Sequence, residues 1–118
     1  MKTRLLLILI AGAVLAVSCV DLSKIIINSP DLNQIADGTY QGKAKAGPVR
    51  ITLDVIVKDR AITSIEIIRH VNGRGKPAEA IVPEIIRAQS LDVDAVSGAT
   101  ASSKAILKAV ENALTGGN

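Results

Sequence analysis

The chain has 118 residues, a formal net charge of +3 and 48% hydrophobic residues, with one tyrosine and neither tryptophan nor phenylalanine. This length suits one small domain with an aliphatic core, and the lack of aromatics excludes a stacking platform for single-stranded nucleic acid. Lys2 and Arg4 carry two of the net charges, so about +1 remains for the rest of the chain, and a single cysteine with a single histidine argues against haem, iron–sulfur and catalytic zinc sites.

The chain begins with a leader in which Lys2 and Arg4 precede an uninterrupted apolar run, Leu5–Val17. That run is shorter than the about 20 residues that cross a bilayer, but it fits the apolar region of a secretory signal. Small residues then lead to Cys19, as in a bacterial lipobox, although Ala16 stands where leucine is usual. We predict a signal peptide over residues 1–18 and lipidation of Cys19, with an uncleaved anchor or an ordinary cleaved signal as alternatives.

Three strands are predicted next, after a lipid-anchored tether over residues 19–36. Residues 39–46 alternate in polarity, and residues 49–57 do so more clearly, with five aliphatic side chains on one face. A tight connection at residues 58–60 then leads into the β-branched segment 62–69, which completes a hairpin. Because that segment is apolar on both faces, we expect it to be covered on both sides at one end.

Two helices are predicted after a glycine-rich loop. The first begins near Pro77 and has an apolar stripe, and Pro83 within it predicts a kink or a restart. The second extends from about Thr100 to Leu114, with a large apolar face and a stripe of alanines that permits close packing. The order predicts an α+β domain over residues 37–118: a small antiparallel sheet of about three to four strands with two helices packed on one face.

The segment Asp94-Ala-Val-Ser-Gly-Ala-Thr100 joins an acidic loop to the last helix. Gly98 and Ala99 leave the backbone bare beside the free N–H groups of a helix start, which is a natural phosphate site. Thr100 adds a hydroxyl that can carry a phosphoester. Spacing alone, however, favours ordinary helix capping by the serines and threonine of this segment.

This segment resembles the flavinylation motif of the FMN-binding domain family, Asp-x-x-(Ser/Thr)-Gly-Ala-(Thr/Ser). The similarity extends from near Asp31 to about Leu114 and includes Asp37-Gly-Thr-Tyr-Gln-Gly42, the loop after His70 and the stretch 89–100. Larger members are flavoprotein subunits of sodium-pumping quinone reductases and of ferredoxin-linked complexes. This chain departs from the family pattern at Arg60, where family members usually have glycine. The type of the turn at residues 58–60 is therefore left open.

The resemblance implies FMN esterified through its phosphate to Thr100 by a separate flavin transferase that uses FAD and magnesium outside the cytoplasm. By analogy, the transferase would recognise Asp94, Ser97, Gly98, Ala99 and Thr100. Cofactor-binding residues implied with Thr100 are Ser97, Gly98, Ala99, Ser102, Ser103, Gly73, Arg74 and Gly75. The alternative for Ser102 and Ser103 is that they are exposed residues of the first helical turn and do not contact the cofactor.

For two further residues, His70 and Tyr40, we favour a structural position over a role in binding the flavin. We favour a surface position for His70, as a solvated side chain of the polar loop, over a role beside the flavin. We favour a core position for Tyr40 over stacking on the isoalloxazine ring.

These observations predict a membrane-tethered extracytoplasmic electron carrier with covalent FMN and no substrate chemistry of its own. Its partners would be the flavin transferase, an unidentified membrane-associated electron donor and the membrane, with no nucleic acid and no metal site. The alternative is a lipoprotein interaction or adhesion module that keeps the fold without the flavin.

Overall fold

The fold is an antiparallel sheet of three strands with two α-helices on one face. A computed structural model describes residues 25–71 and 76–117. The sheet has the order β1 (Gly38–Ala46), β2 (Val49–Lys58) and β3 (Ala61–Val71). Helices α1 (Ile81–Ala88) and α2 (Thr100–Thr115) follow, and short 3-10 helices lie at Leu32–Gln34 and Lys76–Ala80. The prediction of an α+β domain is therefore confirmed.

Two-residue turns connect the strands, and both use left-handed backbone. Gly47 opens the first turn at a φ of 60° and is followed by proline. In the second turn, Asp59 and Arg60 have φ values of 52° and 64°, as a type I′ turn requires. The Asp59 N–H donates a 2.9 Å hydrogen bond to the Asp37 carboxylate. Arg60 thus keeps the left-handed conformation that glycine adopts at lower cost.

Strand β3 contains two irregularities that explain why its apolar residues do not follow a simple alternation in the sequence. Leu53 pairs with Ile67 whereas the preceding Thr52 pairs with Arg69, so Ile68 has no partner on β2. A similar shift leaves Thr63 without one. An extra residue in one strand reverses the alternation of side chains beyond it. Ile68 is 55% exposed, so the expectation that β3 is covered on both sides at one end is wrong for the part of the chain that the structure describes.

The core lies between the sheet and the helices. The inner face of β2 is fully buried, and α2 packs on β1 and β2, with its alanine stripe against β1. Gly42 on β1 makes this approach possible, because a Cβ there would lie 1.9 Å from the Ala109 carbonyl oxygen. Before α1, the 3-10 helix ends at Ala80, so Pro83 falls in the first α-helical turn, where its missing N–H costs little. The restart predicted from Pro83 is confirmed.

Residues 25–36, which belong to the predicted tether, lie against this domain. Lys108 donates a 3.0 Å hydrogen bond to the Ile26 carbonyl, and the Asn28 N–H donates to Glu111 at 2.9 Å. The Ser29 hydroxyl accepts the N–H of Leu91. The predicted signal peptide and Cys19 lie outside the described residues. Within residues 25–71 and 76–117, no helix is long and apolar enough to cross a bilayer.

Candidate functional site

The loop before α2 is held in shape from inside by one serine. The Ser103 hydroxyl donates to the Ala99 carbonyl at 2.8 Å and accepts the Val96 N–H at 2.9 Å. A turn hydrogen bond from the Ala99 N–H to the Val96 carbonyl closes the loop further. Gly98 adopts a φ of 79° within it, a conformation that glycine tolerates without strain. The backbone therefore reaches the start of α2 in one defined path.

Helix α2 begins without a cap from a side chain. Ala99 occupies the capping position and makes no side-chain hydrogen bond to the helix. The first hydrogen bond of the helix runs from the Ser103 N–H to the Ala99 carbonyl, so the N–H groups of the three residues before Ser103 have no helical acceptor. The capping interpretation of this segment thus fails, and the helix end stays open to an anion.

The residues of the motif divide into an exposed set and a buried set. Asp94, Ser97, Gly98 and Thr100 are exposed, and a Cβ placed on Gly98 would meet nothing within 4 Å. These residues present the Thr100 hydroxyl and a bare backbone to the outside. The buried set consists of Ala99, Ser102 and Ser103, which are 8%, 2% and 0% exposed.

The two buried serines hold the structure in place rather than facing the surface on which Thr100 lies. Ser103 fixes the loop, as described above. Ser102 contacts His70, whose Nε2 lies 3.1 Å from the Ser102 hydroxyl. Gly73, Arg74 and Gly75, which were predicted to lie near the flavin, fall outside the described residues, so their placement stays a prediction.

His70 joins Ser102 to Glu79 beneath the first turn of α2. Its Nδ1 lies 3.1 Å from the Glu79 carboxylate, and its side chain is only 4% exposed. The irregularity at Ile68 is what turns His70 toward the helices, because without the extra residue the alternation would place it on the outer face. The prediction of a solvated surface histidine is therefore wrong.

The hydrogen bonds determine how protons are arranged in this cluster. Burial raises the pKa of Glu79, but hydrogen bonds and charges from His70 and Lys76 outweigh it and hold the pKa below its ordinary value. An ionised carboxylate only accepts, so Nδ1 of His70 carries a hydrogen. Nε2 then accepts the Ser102 hydroxyl in the neutral ring and donates to it in the protonated ring.

The Glu79–His70–Ser102 order is that of a hydrolase relay, yet the geometry does not suit hydrolysis. A nucleophile must reach its substrate, and Ser102 is 2% exposed. The cluster instead anchors the first helical turn to the end of β3. Sequence reasoning missed Glu79 entirely and placed His70 on the surface, because no spacing rule connects residues that a bulge and a helix bring together.

Tyr40 lies away from this site. It pairs with Val55 on β2, whereas His70 pairs with Ile51, and four residues of a strand extend about 13 Å. Its hydroxyl donates to the Ala36 carbonyl at 2.6 Å, and its ring packs against the core. Tyr40 is therefore half-buried and packs against the core from its edge, rather than lying within the core as predicted.

An open helix start, a bare backbone and an exposed threonine define a small α+β domain suited to a phosphate-bearing group. Residues 45–115 match the family model described as the FMN-binding domain, and the chain belongs to that family. It is also 32% identical over 84 residues to an uncharacterised protein of Treponema pallidum (strain Nichols), a match that covers 69% of this chain and 23% of the relative. The chain thus spans about a quarter of that protein.

Family membership supports FMN as the cofactor, and the residues present fit the phosphate end of that molecule. The uncapped N–H groups supply donors, and Gly98 leaves room for oxygens to approach the backbone. Residues 25–71 and 76–117 hold no cluster of acidic, histidine or cysteine side chains suited to a metal ion.

Proposed function

We propose that Thr100 carries FMN through a phosphoester and that the domain works as an electron carrier. The observation that carries the proposal is the exposed Thr100 hydroxyl at the uncapped start of α2, directly after a bare backbone. In the transfer, Thr100 Oγ1 forms a bond to the phosphorus of the FMN half of FAD. The pyrophosphate bond breaks, AMP leaves, and the hydroxyl proton is lost.

The helix start stabilises the product of that transfer. A phosphodiester on Thr100 retains one negative charge, which the free N–H groups and the helix dipole favour by about 0.3–1 kcal/mol. Asp94 and Ser97 lie exposed on the same loop, where an incoming transferase can contact them. Ser103 keeps that loop in one conformation, so the enzyme meets a preformed acceptor.

The cluster beneath the site positions the first turn of α2. His70 reaches Ser102, two residues after Thr100, and Glu79 orients the ring from the opposite side. Bound FMN supplies reversible electron transfer, and this chain's residues supply its attachment and electrostatic surroundings.

We further propose that the domain is tethered to the outer face of a membrane through its leader, with Cys19 as the lipidated residue. Support comes from the basic residues, the apolar run and the small residues that precede this cysteine. A covalent cofactor is also advantageous there, because a dissociated flavin would be lost from the cell surface. The partners would be the flavin transferase and a membrane-associated electron donor.

The attachment is tested by flavin fluorescence of the denatured protein band after expression in cells that contain a flavin transferase. The native chain should fluoresce, Thr100→Ala should not, and Thr100→Ser should retain a signal because a hydroxyl remains. Thr39→Ala, at another exposed threonine, is the matched control and should fluoresce. Fluorescence in Thr100→Ala would place the attachment elsewhere, and its absence from the native chain would favour the interaction module.

A further inference from the structure

The outer face of the sheet, opposite the helices, carries a concentrated positive charge near the β1–β2 turn. Lys45 lies directly across from Arg50, and Lys43 and Arg69 lie on either side of Thr52. We call Lys43, Lys45, Arg50 and Arg69 the basic face; all four are exposed. They line an open groove of about 830 Å³ that Lys108 also borders.

This arrangement costs the fold stability. Like charges directly across an antiparallel pair destabilise it, as Lys45 and Arg50 do here. No described residue forms an ion pair with any side chain of the basic face. The acidic residues of the same surface, Asp54 and Glu66, lie opposite each other further along the strands and form no ion pair with the basic face. An uncompensated cluster of this kind indicates an external anionic partner.

The described chain begins beside the same groove. Lys108 borders the groove and also binds the Ile26 carbonyl at 3.0 Å. From Cys19 to Ile26 the chain reaches at most about 25 Å even when fully extended. An anchor at Cys19 would therefore hold the groove close to the membrane surface.

Exposed aliphatic side chains border the basic residues. Ile68 and Val71, which lie on either side of Arg69 along β3, are 55% and 43% exposed. Apolar side chains interspersed with cations are typical of surfaces that lie in the interface of an anionic membrane. A stacking site for single-stranded nucleic acid is disfavoured because no aromatic side chain lies among them.

We propose that the basic face docks onto anionic phospholipid headgroups and so fixes the orientation of the domain on its membrane. The proposal rests on the membrane tether of the proposed function, and it adds a specific surface to it. Each basic residue held near an anionic surface strengthens the association by roughly fivefold. The groove reaches α2 at Lys108 and Asn112, at least two helical turns after Thr100, so docking there leaves Thr100 accessible to the transferase and to electron-transfer partners.

The test is lysine footprinting of the full chain on vesicles. The protein, purified from its native membrane, is reconstituted on vesicles of phosphatidylcholine alone or with a third of phosphatidylglycerol. An amine-reactive label is then applied, and modification is quantified by mass spectrometry. Lys43 and Lys45 should be protected at least threefold on the anionic vesicles and not in high salt. Lys76, which is exposed in the short 3-10 helix before α1 and not on the sheet, should be labelled equally on both.

Charge reversal provides the matched control. Lys45→Glu with Arg50→Glu should abolish the protection of Lys43, whereas Arg87→Glu, at an exposed arginine of α1, should leave it unchanged. Equal labelling of Lys43 and Lys45 on both vesicle types would overturn the proposal. So would protection that appears only in native membranes and disappears after protease treatment, since the partner would then be a protein.

Flotation of the same samples separates this proposal from the tether. A chain that floats with phosphatidylcholine vesicles but shows no lipid-dependent protection retains its anchor and refutes docking. A chain that floats only with anionic vesicles at low salt supports docking and refutes the anchor. A chain that floats with neither refutes both.

Discussion

The close approach of α2 to β1 makes Gly42→Ala the most informative packing variant. A Cβ at this position would lie 1.9 Å from the Ala109 carbonyl oxygen and 2.7 Å from the Ala113 backbone nitrogen. Ordinary carbon–oxygen contacts are about 3.3 Å, so the helix must retreat by about 1.4 Å. The groups in conflict belong to the helix backbone, which cannot rotate away as a side chain does. We expect the variant to lose at least about 3 kcal/mol of the free energy of unfolding.

Urea denaturation followed by far-ultraviolet circular dichroism measures this loss. For a domain of this size, a loss of about 3 kcal/mol in the free energy of unfolding lowers Tm by roughly 12–24 °C. Gly47→Ala is the control, because its Cβ would meet nothing within 4 Å and only its φ of 60° is unfavourable. That control should lose about 1 kcal/mol. If Gly42→Ala loses no more than Gly47→Ala, the close packing of α2 on β1 is wrong.

Three further substitutions test other parts of the structure. Ser103→Ala should lower the free energy of unfolding by about 2 kcal/mol, because the Val96 N–H loses its acceptor in the loop. Hydrogen exchange of the Val96 amide should accelerate, and an unchanged rate would contradict the role of Ser103. Arg60→Gly should stabilise the domain by about 0.5–1 kcal/mol by relieving left-handed backbone, and a lower urea midpoint would refute this. Since the pKa of Glu79 is lowered, its contribution to stability is present above about pH 4.3 and is lost as pH falls through the folded value. Glu79→Gln should therefore flatten the acid limb of a pH series of urea midpoints, and an unaltered slope would contradict the pairing with His70.

Much of the fold is encoded locally in the sequence. Strand β2 was predicted from its alternation alone, because one face is buried along its whole length and the other is open. The start of α2 at Thr100 and its apolar and alanine faces were also predicted, since helical periodicity needs no tertiary information. The family motif further directed attention to Thr100 itself.

What escaped prediction depends on contacts between distant residues. The bulge at Ile68 cannot be recognised from the residue types around it, yet it places His70 on the face of the sheet that the helices cover. Glu79 meets His70 only because the 3-10 helix returns beneath the end of β3. Ser102 and Ser103 look alike in the sequence, but one contacts the histidine and the other holds the loop. Burial and partners at these positions follow from packing, which a single sequence does not display.

The central claim is the phosphoester at Thr100, and the intact mass of the protein tests it most directly. The chain should be purified from its native membrane, denatured and weighed, and the modified peptide then mapped by fragmentation. The account predicts an added mass of one FMN less one water, located on the peptide that contains Thr100. An unmodified peptide, in a strain shown to flavinylate other proteins, would contradict it.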